Sequence, residues 1–92
     1  MYISYVKWTD KALEKGGEYF GKTWMPKHDE VCKKWDVKLL KSGTAFGTVE
    51  QTVFVYETDL ELSKYQDFRG EVTRIESGFF DYTKTTIVNC PN

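Results

Sequence analysis

Apolar and polar positions change period along this chain in a definite order. Tyr2 to Trp8 alternates, with Tyr2, Ser4, Val6 and Trp8 opposed to Ile3, Tyr5 and Lys7. A period of two predicts a strand. From Asp10 to Trp35 the spacing turns helical, with Leu13, Phe20, Trp24, Val31 and Trp35 as the apolar stripe. Val37–Phe46 and Thr48–Glu57 then predict two strands. Asp59–Glu76 predicts a second helix on the stripe Leu62, Tyr65, Phe68, Val72 and Ile75, and Tyr82–Asn89 a last strand. Strand-helix-strand-strand-helix-strand is the ferredoxin-like order. The expected fold class is therefore α+β, βαββαβ with an antiparallel sheet, and residues 1–92 form a single domain.

Local signals refine the boundaries. Thr9 stands where an N-cap is wanted, with Asp10 next to it. Gly16, Gly17 and Gly21 each weaken the first helix by about 1 kcal/mol relative to Ala. Pro26 lacks the amide hydrogen a helix needs, so a kink or break is expected near Met25-Pro26, with a short second helix running on to Trp35. Ser42-Gly43 predicts a bulge, and Gly47 a turn. Thr58 with Glu61 fits a capping box, and Gly78 fits a left-handed helix end. Gly78-Phe79-Phe80-Asp81 reads as a loop. Its two aromatics belong at the mouth of a cavity, at a subunit contact, or tucked against the chain's own core.

The strand around Val53 carries the most weight. Val49, Val53 and Val55 fall on one face and Phe54 and Tyr56 on the other. Two apolar faces call for two covers, and the helices of one chain cover only one face. A second copy of the same sheet is the simplest other cover. A short domain also gains from a partner subunit, because it buries a modest share of its own surface.

The run Phe46-Gly47-Thr48-Val49-Glu50-Gln51-Thr52-Val53-Phe54-Val55-Tyr56-Glu57, followed by an acidic helix start and Tyr65, Gln66 and Phe68, resembles the dimeric α+β barrel superfamily. That group includes antibiotic-biosynthesis-type monooxygenases, EthD-like proteins and stress-responsive A/B-barrel domain proteins. The resemblance covers nearly the whole chain. It implies a homodimer whose two sheets face each other as a barrel, with a pocket in each subunit between sheet and helices. Members include enzymes that use neither metal nor flavin, and haem-binding proteins.

Composition narrows the function classes. A net charge of −1 gives no general attraction for nucleic acid or an anionic membrane. No apolar run approaches the roughly 20 residues that span a bilayer, and no secretory leader is visible. The cysteines Cys32 and Cys90 make no disulfide framework. The expected compartment is the cytoplasm, with reduced thiols. Aromatics make up 16% of the chain, so some should line an interface or a pocket.

Candidate chemistry is sparse. His28 is the only histidine; it suits general acid–base work, or a buried structural place with one hydrogen bond. In related barrels a pocket histidine often has the first role. Cys32 lies four residues on, a spacing that suits two metal ligands or a thiolate–imidazole pair. A metal would need a third ligand, such as Cys90 or a carboxylate, and no metal or other cofactor is expected. Tyr5, Trp8, Trp24, Tyr56, Tyr65 and Phe54 can line a pocket for a flat apolar ligand or simply pack the core. Glu50 and Glu57 flank the Val53 strand; such residues are mostly solvated ends, and inward placement near the turn is the alternative for Glu50. Lys33, Lys34, Lys38 and Lys41, set among acids, predict a mixed-charge surface. Three functions follow as expectations: a homodimer with an aromatic-lined pocket for a small hydrophobic or aromatic ligand; a cofactor-independent monooxygenase or isomerase in which His28 moves a proton; and an interaction module using Phe79 and Phe80.

Overall fold

The computed structural model describes residues 1–88. The chain is α+β. Four strands, β1 (Tyr2–Trp8), β2 (Lys38–Thr44), β3 (Thr52–Glu57) and β4 (Phe80–Ile87), form one sheet in the order β2-β3-β1-β4. Every neighbouring pair is antiparallel, an arrangement compatible with the ferredoxin-like fold. Between β1 and β2 lie α1 (Asp10–Leu13), α2 (Gly16–Tyr19), a π-helical turn (Phe20–Trp24) and α3 (Met25–Lys34); α4 (Leu62–Thr73) joins β3 to β4.

The helices cover one face of the sheet. Tyr2, Ser4, Val6 and Trp8 of β1 are buried beneath them, while Ile3, Tyr5 and Lys7 on the other face are half-buried. On β3, Phe54 and Tyr56 point into the core and Val53 and Val55 lie on the open face. Register joins these sets: Tyr2 opposes Tyr56 and Ser4 opposes Phe54 on the core side, and Ile3 opposes Val55 and Tyr5 opposes Val53 on the other.

The first helical region breaks earlier than Pro26 predicts. Gly16 has φ +79°, a left-handed value that an L side chain resists, and the helix restarts there. Pro26 is accommodated instead of breaking the chain. The Met25 amide reaches back five residues to the Phe20 carbonyl. This wider turn makes room for the proline ring at the start of α3. The buried face also differs from the predicted stripe: Trp24, His28 and Cys32 point into the core, whereas Leu13 is exposed. After α3, Asp36 adopts φ 55°, and Val37 N–H donates to the Cys32 carbonyl at 2.9 Å, turning the chain into β2.

Other boundaries shift for visible reasons. The β2 irregularity falls between Leu39 and Lys41, and Gly43 pairs regularly with Val53. Gly47 has φ +77°, as a turn requires, but β3 begins only at Thr52. Before it, Glu50 turns aside to Tyr82 and Lys84. Trp8 N–H then bonds the Gln51 side chain at 2.9 Å. The capping box does not form. The Thr58 hydroxyl donates to the Asp36 carbonyl at 3.2 Å, and α4 starts at Leu62 without a side-chain cap. Gly78 is left-handed, φ +78°, but lies beyond the end of α4, in the turn to β4. Thr9 caps α1 as expected, accepting from Ala12 N–H.

The two neighbouring glycines separate backbone strain from helix propensity. Neither would meet an atom within 4 Å on gaining a Cβ. Gly16→Ala should lose about 1 kcal/mol by forcing alanine into a left-handed conformation. Gly17→Ala, at an ordinary φ inside α2, should gain a few tenths to about 1 kcal/mol. Urea unfolding of the two variants against the parent checks the opposite signs.

Candidate functional site

A line of polar groups runs through the core between helices and sheet. Arg69 of α4 donates from Nη1 to the Tyr56 hydroxyl oxygen at 3.0 Å and from Nη2 to Thr83 Oγ1 at 3.0 Å. Arginine has only donors, so both oxygens accept. Thr83 then donates to the Tyr5 carbonyl at 2.8 Å. Tyr56 is left with its own hydrogen, which it donates to His28 Nε2 at 2.6 Å. Burial keeps His28 neutral, and with Nε2 accepting, its hydrogen sits on Nδ1, which faces Asp29 Oδ1 at 3.6 Å. The line links α3, β3, α4, β4 and β1. A second set sits beside it: Ser4 Oγ lies 2.6 Å from the Tyr65 hydroxyl and 2.8 Å from Thr85 Oγ1.

The electrostatics follow from burial. His28 is fully buried; loss of solvent, then the charge on Arg69, lowers its pKa to about 4, against the pull of Asp29. Burial pushes the Cys32 thiol up to about 11 and the Tyr65 hydroxyl up to about 12. Tyr56 is raised too, mainly by burial. Cys32 Sγ lies 3.8 Å from both ring nitrogens of His28. At neutral pH this pair is a thiol beside a neutral imidazole. Among the described residues no group of three or more His, Cys, Asp or Glu side chains is placed to hold a metal ion. Cys90 lies outside the described residues.

A cleft of about 440 Å³ opens on the helix side, between the α2–π-turn segment and the β2–β3 edge of the sheet. Trp8, Phe20, Trp24 and Phe54 supply its aromatic wall, and Gly16 and Gly17 stand along it. The rings interlock at angles: Trp8 lies 4.8 Å from Phe20 and 5.5 Å from Trp24, both edge to face. Trp8 Nε1 donates to Thr52 Oγ1 at 2.8 Å. Trp24 Nε1 is buried without a hydrogen-bond partner among the described residues.

The sequence candidates are thus divided among three places. Trp8, Trp24 and Phe54 share the cleft. His28, Tyr56 and Tyr65 lie in the closed core with their polar atoms engaged. Tyr5 is on the opposite face of the sheet, with Lys84 Nζ 5.5 Å from its ring centre. Phe79 is fully buried, 5.7 Å from Phe20, and Phe80 opens β4. These two aromatics pack on the chain's own core. Glu50 is not a solvated strand end: it is 3% exposed, and bonds from Thr48, Tyr82 and Lys84 hold its carboxyl down at about 2.

Arg69 was missed as a site residue. The signal was available, since four residues after Tyr65 and three before Val72 is a core position of α4. No helix among the described residues is long and apolar enough to cross a membrane. No protein-family model, curated protein or solved structure gives a significant match to this chain.

The buried neutral imidazole has a measurable signature. Unfolded histidine titrates near 6.5, and folded His28 near 4. Between these values the unfolded chain binds more protons, so stability is full above pH 6.5 and falls as the pH drops toward 4. Unfolding free energy measured from pH 7 to 5 should decline with acid, by up to ~1.4 kcal/mol per pH unit. His28→Gln, which keeps an acceptor for Tyr56, should flatten that decline.

Proposed function

We propose that this chain is a homodimeric α+β barrel protein that holds a small hydrophobic or aromatic ligand in the cleft beside Trp24. The observation that carries the ligand half is the cleft itself. Its volume falls within the range of about 300–1,000 Å³ usual for small-molecule sites, and four aromatic side chains form its wall. Edge-to-face walls offer ring faces and ring edges together, which suits a flat aromatic guest. Ser42, Thr44, Gln51 and Thr52 add polar groups along the sheet edge, enough to orient one hydroxyl or carbonyl.

The dimer half is supported by the open sheet face. Ile3, Val55, Tyr5 and Val53 form one contiguous apolar patch across β1 and β3, and no helix among the described residues lies over it. Lys7, Lys41 and Lys84 stand around it with Glu57, so the rim carries both signs of charge. A face of that kind complements itself about a two-fold axis. Proton transfer by His28 is not part of this proposal. Its ring is fully buried, its Nε2 lone pair is taken by Tyr56, and it is not among the residues that form the cleft.

Two measurements test the halves separately. 1-Naphthol should quench tryptophan emission saturably. Gly17→Leu, whose Cβ has open space on the cleft wall, should weaken this at least about tenfold, or ~1.4 kcal/mol. Unchanged quenching in that variant would overturn the cleft. In sedimentation equilibrium the parent should be a dimer and Val55→Lys a monomer. A monomeric parent would overturn the barrel.

A further inference from the structure

Among the described residues the charge on Arg69 has no counterion. Its side chain is 4% exposed, and the ion pairs among the described residues join other groups: Lys22–Glu18, His28–Asp29, Lys34–Glu71 and Lys84–Glu50. Arginine does not give up its proton in a protein. A full positive charge therefore stands in the core, facing two neutral oxygens and the rings of Phe54, Tyr56 and Phe80 at 5.7 to 5.9 Å. Ring faces attract a cation, but they do not neutralise it. Nε of Arg69 has no hydrogen-bond partner among the described residues. Burying an uncompensated charge is costly, and a bound anion would relieve that cost.

The place for an anion is beside it. A cleft of about 390 Å³ lies between α4 and β4, and Arg69 forms part of its wall. Gln66 and Thr73 of α4 and Thr83 and Thr85 of β4 add polar atoms, and Leu62 and Ile87 add aliphatic surface. Among the described residues Arg69 is the one basic residue in the lining, and the Arg74 guanidinium stands beside Gly70 at its margin; one lining guanidinium suits a single negative charge. The planar fork of arginine matches a carboxylate. The aliphatic surface suits a short apolar tail. We propose that the α4–β4 cleft is a binding site for a small organic monocarboxylate, with Arg69 as its charge partner and Leu62 and Ile87 flanking its tail. This site is separate from the aromatic cleft and does not depend on it.

Butyrate and its neutral isostere butyramide are the probes, read by titration calorimetry on the full chain. Butyrate should bind saturably and butyramide at least about tenfold more weakly, the loss expected for one charge-assisted bond. Gln66 is exposed and three residues before Arg69, one turn away on the helix. Gln66→Glu therefore supplies an internal carboxylate without disturbing the core. It should raise the melting temperature and weaken butyrate at least about tenfold. Gly17→Leu should leave butyrate binding unchanged, which separates this site from the aromatic one. Equal binding of the two probes, no binding of butyrate, or full butyrate affinity in Gln66→Glu would each overturn the proposal.

Discussion

The hydroxyl of Tyr56 is the point on which the core turns. It accepts from Arg69 and donates to His28, so it satisfies a cation and an imidazole with one oxygen. Both neighbours are buried, and a buried polar group left without its partner costs about 1–3 kcal/mol. The arrangement therefore fixes three elements at once: α3 through His28, β3 through Tyr56 and α4 through Arg69. The other arm of the guanidinium, through Thr83 to the Tyr5 carbonyl, adds both neighbours at the other side of the sheet. A slip of β3 by one residue would carry Tyr56 to the open face and strand every member of the line. The hydrophobic pattern favours this register, and the polar line makes the alternatives expensive.

That closed centre decides where function can reside. With His28, Cys32, Tyr56 and Tyr65 engaged under the helices, the open surfaces lie at the margins. One margin exists because the chain between β1 and α3 is not a continuous helix. The left-handed Gly16 and the π-turn before Pro26 offset that segment from the sheet. The aromatic cleft lies between them. The other margin lies between α4 and β4, where the guanidinium of Arg69 forms part of the wall. The sheet's far face is a third surface, apolar at its centre and charged at its rim, and Glu50 ties β4 to the loop before β3 across it.

Much of the fold was legible in the sequence, because strand alternation and element order are local signals. β1 is bounded as its alternation predicts, and Thr9 caps α1 through its own side chain. Within β3 the two faces separate as expected, Phe54 and Tyr56 inward and Val53 and Val55 outward, but Val49 lies in the exposed loop before the strand. The helix before α3 was harder. A stripe drawn through the largest residues takes in Leu13, which is exposed, whereas the buried places in α3 that the sequence leaves open to His28 and Cys32 are the ones they occupy. A tertiary hydrogen bond to Tyr56 holds His28 inside, and Cys32 packs there as a small apolar side chain. The same holds for Glu50 and Arg69: charged residues read as solvent-facing until their partners, far away in the chain, are known. The Thr58–Glu61 motif failed for a related reason, since the Asp36 carbonyl claims the threonine hydroxyl. Of the predicted site residues, Trp8 and Trp24 share a cleft because both adjoin the broken helix. Nothing local to Tyr5 announces that it lies on the other face from them except the strand alternation itself.

The protonation state of His28 tests the central claim most directly. Nitrogen-detected NMR of the imidazole gives both the tautomer and the titration midpoint. The polar line predicts a neutral ring at pH 6 with its hydrogen on Nδ1, and a midpoint of about 4. A ring protonated at pH 6, or one carrying its hydrogen on Nε2, would contradict the donation from Tyr56 and with it the order of bonds that holds the core together.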